Sequence, residues 1–405
     1  MYPRGVRARI ERALLDTPAV FVAGPRQVGK STLVQLVRQD GYVTLDRATV
    51  RAGAGADPDG FVSGLPVPVA LDEVQRVPDL LLALKAEIDE DRQPGRFLLT
   101  GSANVLMLPK VADALPGRME IVELWPLSQG EIGSRPESFV DAIFEMALPP
   151  VEVARVSRSE LFDRVLCGGF PESLQRPVDR RADWFESYLT AVVEREVRDL
   201  SNVGSIAELT MMIRLISARA GSLFNLADVA RSAQLPHSTA RNYLGLLRAV
   251  FLVVDVPAWT TSLTTRIVRA PKLFLVDSGL TAHLQGVTRE RLAADPHLAG
   301  GLLEAFVAME LRKQISWSRV RPGLAHFRTK SGDEVDFVLE ARDGTLVGIE
   351  VKSSATVRSG DFAGLRVLEQ IAGPRFRRGI VLYTGTDLVS FGPTLIAAPV
   401  SLLWS

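Results

Sequence analysis

The chain has 405 residues, more than one hydrophobic core usually holds, which predicts roughly two to four domains. Hydrophobic residues make up 47% of the chain and charged residues 23%, an ordinary globular composition. Lys plus Arg and Asp plus Glu both number 47, so the chain as a whole does not attract nucleic acid, and such a role requires local basic patches.

The compartment is indicated by what the sequence lacks. Cys167 is the single cysteine, which excludes an intramolecular disulfide and fits a reducing compartment. The first residues are charged and have no apolar signal-peptide core. The longest apolar run, near Leu244–Val254, contains Arg248 and is too short to span a bilayer. We expect a soluble cytoplasmic protein with no membrane partner.

Short apolar runs alternate with helical patterns up to about Leu127. Helical patterns fall between most of these runs, as at Lys30–Gln39 and Pro78–Asp89. This alternation predicts an α/β domain whose parallel sheet is covered on both faces. The predicted strands are Ala19–Ala23, Tyr42–Leu45, Val67–Leu71, Phe97–Thr100 and Glu120–Leu124.

A phosphate-binding loop follows the first predicted strand and opens a helix. Its pattern is Gly-x4-Gly-Lys-Ser, whose backbone N–H groups point at phosphate oxygens. Lys30 is expected to reach the β- and γ-phosphates, and Ser31 to give its hydroxyl to Mg²⁺. Thr32, the next residue, is given no role. The predicted ATP-binding residues are Gly24, Pro25, Arg26, Gln27, Val28, Gly29, Lys30 and Ser31.

Two acidic residues end the third predicted strand, and both suit ATP hydrolysis. Asp72 is expected to bind Mg²⁺ through a water molecule, and Glu73 to polarise the attacking water. The alternative is a pair of carboxylates that cap the next helix.

Smaller signals complete the predicted nucleotide site. Thr100, Ser102 or Asn104, after the fourth strand, could place a polar side chain beside the γ-phosphate, although a plain turn explains each equally well. Arg118 precedes the fifth strand and could reach the γ-phosphate of a neighbouring subunit in a homo-oligomer. A surface ion pair is the alternative for Arg118.

A helix–turn–helix pattern lies in the middle of the chain, followed by the apolar segment Val250–Val256. Leu226–Ala233 predicts a first helix and Thr239–Ala249 a second helix capped by Ser238. This spacing is typical of a winged helix, which makes DNA a candidate partner, and packing or protein contact is the alternative. The predicted base-contacting side chains are Thr239, Arg241, Asn242 and Tyr243, and the predicted phosphate contacts are Arg266, Arg269 and Lys272.

Two alternating segments near the C-terminus predict a β-hairpin. A three-residue loop, Arg342-Asp343-Gly344, puts residue 341 opposite 345 and Asp336 opposite Glu350. Asp336, Glu350 and Lys352 then share one face of the hairpin. Two carboxylates and a lysine suit a Mg²⁺ site in which Lys352 acts on the attacking water. A solvated hairpin with a surface ion pair, or a fold without nuclease activity, are the alternatives.

The order of these motifs resembles bacterial and archaeal AAA-type ATPases with a C-terminal domain of unknown function. The matching segments are Gly24–Ser31, Leu71–Gln75, Leu99–Ser102, Gly117–Arg118, Gly168–Glu172, Lys272–Leu280 and Glu350–Lys352. The Asp…Glu-x-Lys pattern is similar to the restriction-endonuclease-like fold, and that likeness implies Glu304, on a predicted helix over Gly300–Gln314, as a further metal ligand.

The expected architecture is therefore an AAA-type P-loop domain over residues 1–127, a helical lid or linker over 128–200, a winged helix over 201–262 and an α/β restriction-endonuclease-like domain over 263–405. The expected function is Mg²⁺-dependent ATP hydrolysis coupled to DNA binding or processing. The alternative is a nucleotide-switched regulator that binds DNA or protein without cleaving nucleic acid.

Overall fold

A computed structural model describes residues 1–102, 117–146, 153–197, 205–261 and 269–405. Two residues given roles above, Asn104 and Arg266, lie outside these ranges.

The N-terminal part of the chain is an α/β domain, as predicted. Its strands are all parallel and run in the order β2-β3-β4-β1-β5. The elements are α1 (Arg7–Ala13), β1 (Ala19–Ala23), α2 (Lys30–Val37), β2 (Tyr42–Thr44), α3 (Ala48–Ala56), α4 (Pro58–Ser63), β3 (Val69–Asp72), α5 (Leu80–Glu90), β4 (Phe97–Gly101) and β5 (Met119–Glu123).

All five predicted strands are present, with ends that differ from the predictions by no more than a few residues. The central strands β1, β3 and β4 are buried along their whole length, which explains their continuous apolar sequences. Because the strands are parallel, the residues after β1, β3 and β4 meet at one edge of the sheet. This edge carries the candidate nucleotide site.

The middle of the chain is helical, as predicted. Gly168 and Gly169 end α8, and the buried Asp277 accepts a hydrogen bond of 2.7 Å from the Gly169 N–H. Two sequence motifs more than 100 residues apart are thereby joined. The helices are α6 (Gln129–Ile132), α7 (Phe139–Ala142), α8 (Arg158–Cys167), α9 (Pro171–Gln175) and α10 (Val178–Ala191), and a π-helix (Val192–Val197) follows.

Three helices and a two-stranded sheet come next. An isolated bridge joins Leu223 to Lys272, so a third extended segment flanks the strand pair. The predicted boundary at residue 262 falls inside this hairpin, because its two strands pair across that position. The elements are α11 (Ile206–Ser217), α12 (Leu226–Ser232), α13 (His237–Ala249), β6 (Val253–Val256) and β7 (Lys272–Leu275).

The C-terminal part is a second α/β unit. Its six-stranded mixed sheet has the order β12-β13-β11-β10-β9-β8. The elements are α14 (Ser278–Leu284), α15 (Arg289–Ala294), α16 (Pro296–Ile315), β8 (Gly323–Arg328), β9 (Glu334–Glu340), β10 (Leu346–Lys352), α17 (Ala363–Ala372), β11 (Phe376–Tyr383), β12 (Val389–Ser390) and β13 (Leu395–Pro399).

Helix α16 is the long central element of the molecule and is buried along most of its 20 residues. Asp295 caps it and Pro296 occupies its first turn, a favourable start for a helix. Glu310, near its C-terminal end, accepts a hydrogen bond from the N–H of Gln129, while Glu304 lies two turns earlier beside the C-terminal sheet. In the described parts of the chain, no helix is both long and apolar enough to cross a membrane.

Candidate functional site

The phosphate loop occupies residues 24–29, between the end of β1 and the start of α2. Gly24 has no room for a side chain, since a Cβ there would lie 2.0 Å from the carbonyl oxygen of Leu124. Gln27 has a φ of 60°, a left-handed conformation that is uncommon outside glycine. These features bend the loop around the N-terminus of α2, where backbone N–H groups and the helix dipole favour an anion.

Lys30 is the first residue of α2 and is 4% exposed. Its ammonium donates hydrogen bonds to the carbonyl oxygens of Gly24 (2.9 Å) and Pro25 (2.8 Å). The charge is thus held inside the loop, within reach of any phosphate that the loop binds. This position suits the role predicted for Lys30.

Ser31 and Asp72 are in contact at the carboxyl edge of the sheet. The Ser31 hydroxyl donates to Oδ1 of Asp72 at 3.0 Å, and the Tyr42 hydroxyl donates to Oδ2 at 2.6 Å. Burial raises the pKa of Tyr42 to about 12, and the Asp72 carboxylate adds to the shift. A hydroxyl and a carboxylate oxygen are hard ligands, so Ser31 and Asp72 fit a Mg²⁺ ion that arrives with a nucleotide.

Glu73 follows Asp72 with a left-handed φ of 62°, which turns its side chain away from the direction of β3. Its backbone N–H donates to the Thr100 hydroxyl at 3.0 Å, and that hydroxyl in turn donates to Asp72. Gln75 donates to the carboxylate of Glu73 and to the Ser102 hydroxyl, the latter at 2.9 Å. Two of the three proposed sensor residues, Thr100 and Ser102, are thus linked to the acidic pair.

A cleft of about 570 Å³ lies over the phosphate loop. One wall comes from the loop, α2 and Glu73, and the opposite wall comes from the helical region. The lining residues are Arg26, Gln27, Gly29, Lys30, Ser31, Thr32, Glu73, Pro171, Glu172, Arg176, Trp184, Ser187 and Tyr188. No motif in the sequence identifies the second wall, apart from the Gly-Gly-Phe-Pro break at the start of α9.

Arg4 also contacts the phosphate loop, although no motif in the sequence marks it. Its guanidinium donates to the carbonyl oxygen of Val28 in the phosphate loop at 2.7 Å and to that of Trp125 at 2.6 Å. It also pairs with Glu131 at 3.1 Å. A local motif cannot mark Arg4, because the residues that it contacts are distant from it in the chain.

Arg118 does not lie at the cleft of its own chain. It precedes Met119, which pairs with Ala19 at the amino end of β1, whereas the phosphate loop follows the carboxyl end. Its guanidinium makes two hydrogen bonds to Asp89, of 2.7 and 2.9 Å. This ion pair is the alternative that the sequence left open, while a contact with the γ-phosphate of a neighbouring subunit stays a prediction.

The second helix of the helix–turn–helix pattern, α13, presents only part of the predicted set. Arg241 and Asn242 are exposed and Thr239 is half-buried. Tyr243 is buried, and its hydroxyl contacts Glu208 at 3.1 Å, so it packs against α11 instead of facing outward. Arg269 donates to the Arg328 carbonyl oxygen at 2.9 Å.

The C-terminal hairpin has the predicted register. Glu340 pairs with Leu346 and Phe337 with Ile349, and the Ala341 N–H donates to Thr345 at 2.9 Å. Gly344 has the expected left-handed φ, 83°. The three-residue loop is thereby confirmed.

The predicted metal-binding carboxylates are close together but surround a lysine. The ammonium of Lys272 lies 2.8 Å from Oε1 of Glu304 and 3.1 Å from Oδ1 of Asp336. Glu350 instead pairs with Lys352 at 2.7 Å. Lys272 is 1% exposed, so it is not the surface phosphate contact that the sequence suggested.

This arrangement does not fit a metal ion. Within the described ranges, no group of three or more His, Cys, Asp and Glu side chains is placed to hold one. The ammonium already occupies the space between Glu304 and Asp336, and the remaining oxygen of Asp336 accepts from the Val351 N–H at 2.9 Å. Burial, together with the charge of the nearby Asp336, raises the pKa of Glu350 to about 8.

The phosphate loop, the acidic pair and the parallel sheet define an AAA-type nucleotide-binding domain. An AAA domain family model matches residues 16–133. Two further models, both described as domains of unknown function, match residues 158–291 (DUF8612) and 299–403 (DUF4143).

Full-length relatives give the family. Uncharacterized proteins of Mycobacterium bovis and Mycobacterium tuberculosis are each 31% identical to the chain over 401 residues, which cover 98% of this chain and 83% of each relative. The chain therefore belongs to the same family of AAA-type ATPases with a C-terminal domain of unknown function.

Similarity to solved structures is weak. A structure of the Drosophila ORC bound to DNA is 14% identical, with a TM-score of 0.22. The match covers 70% of this chain and 85% of the chain in that structure. A Thermococcus gammatolerans assembly of McrB AAA+ hexamers with bound McrC matches 69% and 74% at 12% identity, with a TM-score of 0.21. Scores this low carry no argument about function.

Proposed function

We propose that the chain is a Mg²⁺-dependent ATPase whose nucleotide state is transmitted to its C-terminal half. The observation that carries this proposal is the contact between Ser31 and Asp72 beside Glu73, with Lys30 buried in the adjoining loop. Lys30, Ser31 and Glu73 line one cleft, and Asp72 contacts Ser31 beside it. Together they supply a cation, a hydroxyl and a carboxylate for the metal, and a carboxylate for water.

Each residue has a distinct part in this mechanism. The loop N–H groups and Lys30 would bind the phosphates, and Ser31 and Asp72 would hold Mg²⁺, which would offset charge on the phosphate oxygens. Glu73 orients a water molecule and accepts its proton. The Gln75 side chain donates hydrogen bonds to both the Glu73 carboxylate and the Ser102 hydroxyl. Gln75 therefore positions Glu73 and is itself held by Ser102.

Polar contacts beside the cleft suggest how the nucleotide state is transmitted from the ATPase domain to the C-terminal half. The Arg4 guanidinium joins the phosphate loop to Glu131, and the backbone of Gln129 binds Glu310 on α16. A movement of the phosphate loop would thus act on α16 through two short polar links. That helix extends to Glu304 in the C-terminal unit.

ATP turnover and ATP binding test the proposal when they are measured separately. Lys30→Ala should abolish both, whereas Glu73→Gln should keep ATP bound and slow hydrolysis by roughly a hundredfold or more. Glu90→Gln, which changes an exposed carboxylate at the end of α5 and outside the cleft, is the control and should keep turnover within about twofold. Unchanged turnover in Lys30→Ala would overturn the assignment.

DNA is the partner that the middle of the chain supports best. The order of α11, the Leu223 bridge, α12, α13 and the β6–β7 hairpin is typical of a winged helix. Arg241 and Asn242 are exposed on α13, where a recognition helix would meet a groove.

Cleavage of nucleic acid by the C-terminal unit is the second candidate function. The shared face of Asp336, Glu350 and Lys352 favours it, whereas the Lys272 ammonium among the carboxylates favours a regulator without cleavage. A Mg²⁺- or Mn²⁺-dependent cleavage assay with ATP, with ADP and without nucleotide separates the two. Wild-type cleavage activity that is lost in both Asp336→Ala and Lys352→Ala would establish the nuclease. We expect instead that the wild type cleaves no more nucleic acid than these two variants.

A further inference from the structure

Lys272 begins β7 and is among the most buried large side chains of the molecule. It belongs to the hairpin that follows the helix–turn–helix, yet its side chain enters the C-terminal unit. Its ammonium meets three carboxylates from two other elements, Glu304 on α16 and Glu334 and Asp336 on β9.

Three carboxylates surround this ammonium. The distances from Nζ are 2.8 Å to Glu304, 2.8 Å to Glu334 and 3.1 Å to Asp336. The ammonium donates hydrogen bonds to Glu304 and Asp336, and Glu334 adds an ion pair. Oxygens that bind Mg²⁺ stand at about 2.0–2.1 Å from the ion, and therefore closer to one another than they stand around an ammonium.

Charge explains why a cation is needed at this position. Glu304 and Asp336 are largely buried, with side chains 12% and 13% exposed, and uncompensated carboxylates in such a place are strongly unfavourable. Burial alone would lower the pKa of Lys272, but the charges of Asp336, Glu304 and Glu334 together raise it. The lysine therefore remains positively charged among them.

The neighbouring backbone closes the cluster. A Cβ at Gly221, which has a φ of 81°, would lie 2.6 Å from Oε2 of Glu304. On the other side, Oδ2 of Asp336 is bound by the backbone of β10. The carboxylates are thus held around the ammonium from both directions.

We propose that Lys272 is a tethered cation that replaces a metal ion in the carboxylate cluster of Glu304, Glu334 and Asp336. The cluster then ties the β6–β7 hairpin to the C-terminal unit, and it takes up no divalent ion while Lys272 is in place. The inference does not depend on ATP hydrolysis, because it concerns residues remote from the phosphate loop.

The test is Mn²⁺ binding to the nucleotide-free, full-length protein, measured by electron paramagnetic resonance and by the Mn²⁺-dependent shift in melting temperature. Lys272→Ala should bind Mn²⁺ at least about tenfold more tightly than the wild type, because the freed carboxylates can gather around the ion. Lys352→Ala is the matched control, since it removes the other ammonium of the same region, and it should bind like the wild type. Adding Glu304→Gln to Lys272→Ala should remove the gained site.

Loss of a buried charge partner can itself unfold a protein, so circular dichroism accompanies each measurement. A Lys272→Ala protein that is unfolded alone and folds when Mn²⁺ is added supports the proposal. A folded variant without added affinity for Mn²⁺, or an unfolded variant that Mn²⁺ does not restore, overturns it. Lys272→Met preserves much of the side-chain volume, so it should fold more readily than Lys272→Ala. Its affinity for Mn²⁺ should not exceed that of Lys272→Ala.

Discussion

The hydroxyl of Ser31 donates a hydrogen bond of 3.0 Å to the carboxylate of Asp72, although the two residues are 41 positions apart. Parallel strands bring them together, because β1 and β3 both end at the same edge of the sheet. The Ser31–Asp72 contact defines where Mg²⁺ would meet the nucleotide.

Arg176 is the basic residue of the cleft wall opposite the phosphate loop. Its guanidinium lines the cleft, and its Nε atom is buried without a hydrogen-bond partner among the described residues. We expect Arg176→Ala to lower ATP turnover by roughly tenfold or more, because this arginine, which also pairs with Glu172 at 3.4 Å, brings a cation to the cleft proposed for the phosphates. Steady-state ATPase assays check this. Arg180→Ala, an exposed arginine of α10, is the control and should be neutral; equal turnover in both variants would contradict the prediction.

Arg118 should be dispensable for hydrolysis by an isolated chain. It lies at the amino edge of the sheet and pairs with Asp89, which lowers the pKa of that carboxyl through a hydrogen bond. We expect Arg118→Ala to keep turnover within about twofold at low protein concentration. Size-exclusion chromatography with and without ATP accompanies the assay. A loss of activity that appears only in an ATP-dependent oligomer would instead identify Arg118 as a residue acting across subunits.

DNA binding through α13 should depend on Arg241 and Asn242. Their double substitution by Ala should weaken binding to duplex DNA, and the loss of the Arg241 charge should lower the salt slope of the affinity by no more than about one, since Asn242 is neutral. Fluorescence anisotropy over a salt series measures both. Arg231→Ala on α12 is the control, because this exposed arginine pairs with Asp228. Affinities that are the same for all three proteins would speak against α13 as the DNA-binding surface.

Stability should fall as pH rises, and Glu137 should be one cause. Burial raises its pKa from 4.5 to about 8, and the charge of Glu310 adds to the shift. The folded state therefore keeps a proton that the unfolded chain releases above pH 4.5, so the Glu137 contribution is present at low pH and is lost as pH rises through about 8.

Glu137→Gln should flatten this dependence by up to roughly 4 kcal/mol between pH 5 and 9. Urea unfolding at several pH values measures it, and part of the slope should remain because the pKa of Glu350 is also raised to about 8. Glu290→Gln on the surface is the control, since the pKa of Glu290 is lowered and its titration does not fall in this window. A variant with the slope of the wild type would refute the role of Glu137.

The sequence alone determined the features that depend on neighbours in the chain. Gly24 and Lys30 mark a loop between a strand and a helix, Asp72 ends a buried apolar strand, and the short loop at Gly344 sets the register of the C-terminal hairpin. Each is a local pattern whose conformation follows from backbone sterics and from the period of side chains along a strand.

Only the tertiary structure decided what these patterns meet. It placed Arg176 across the cleft from the phosphate loop, Arg4 on Val28, and Lys272 among the carboxylates that the sequence had assigned to a metal. No local pattern specifies such contacts, because their partners are separated by at least 24 residues and meet only when strands and helices pack. An ammonium and a divalent metal both satisfy buried carboxylates, and which of the two is present depends on whether a lysine from another element reaches them.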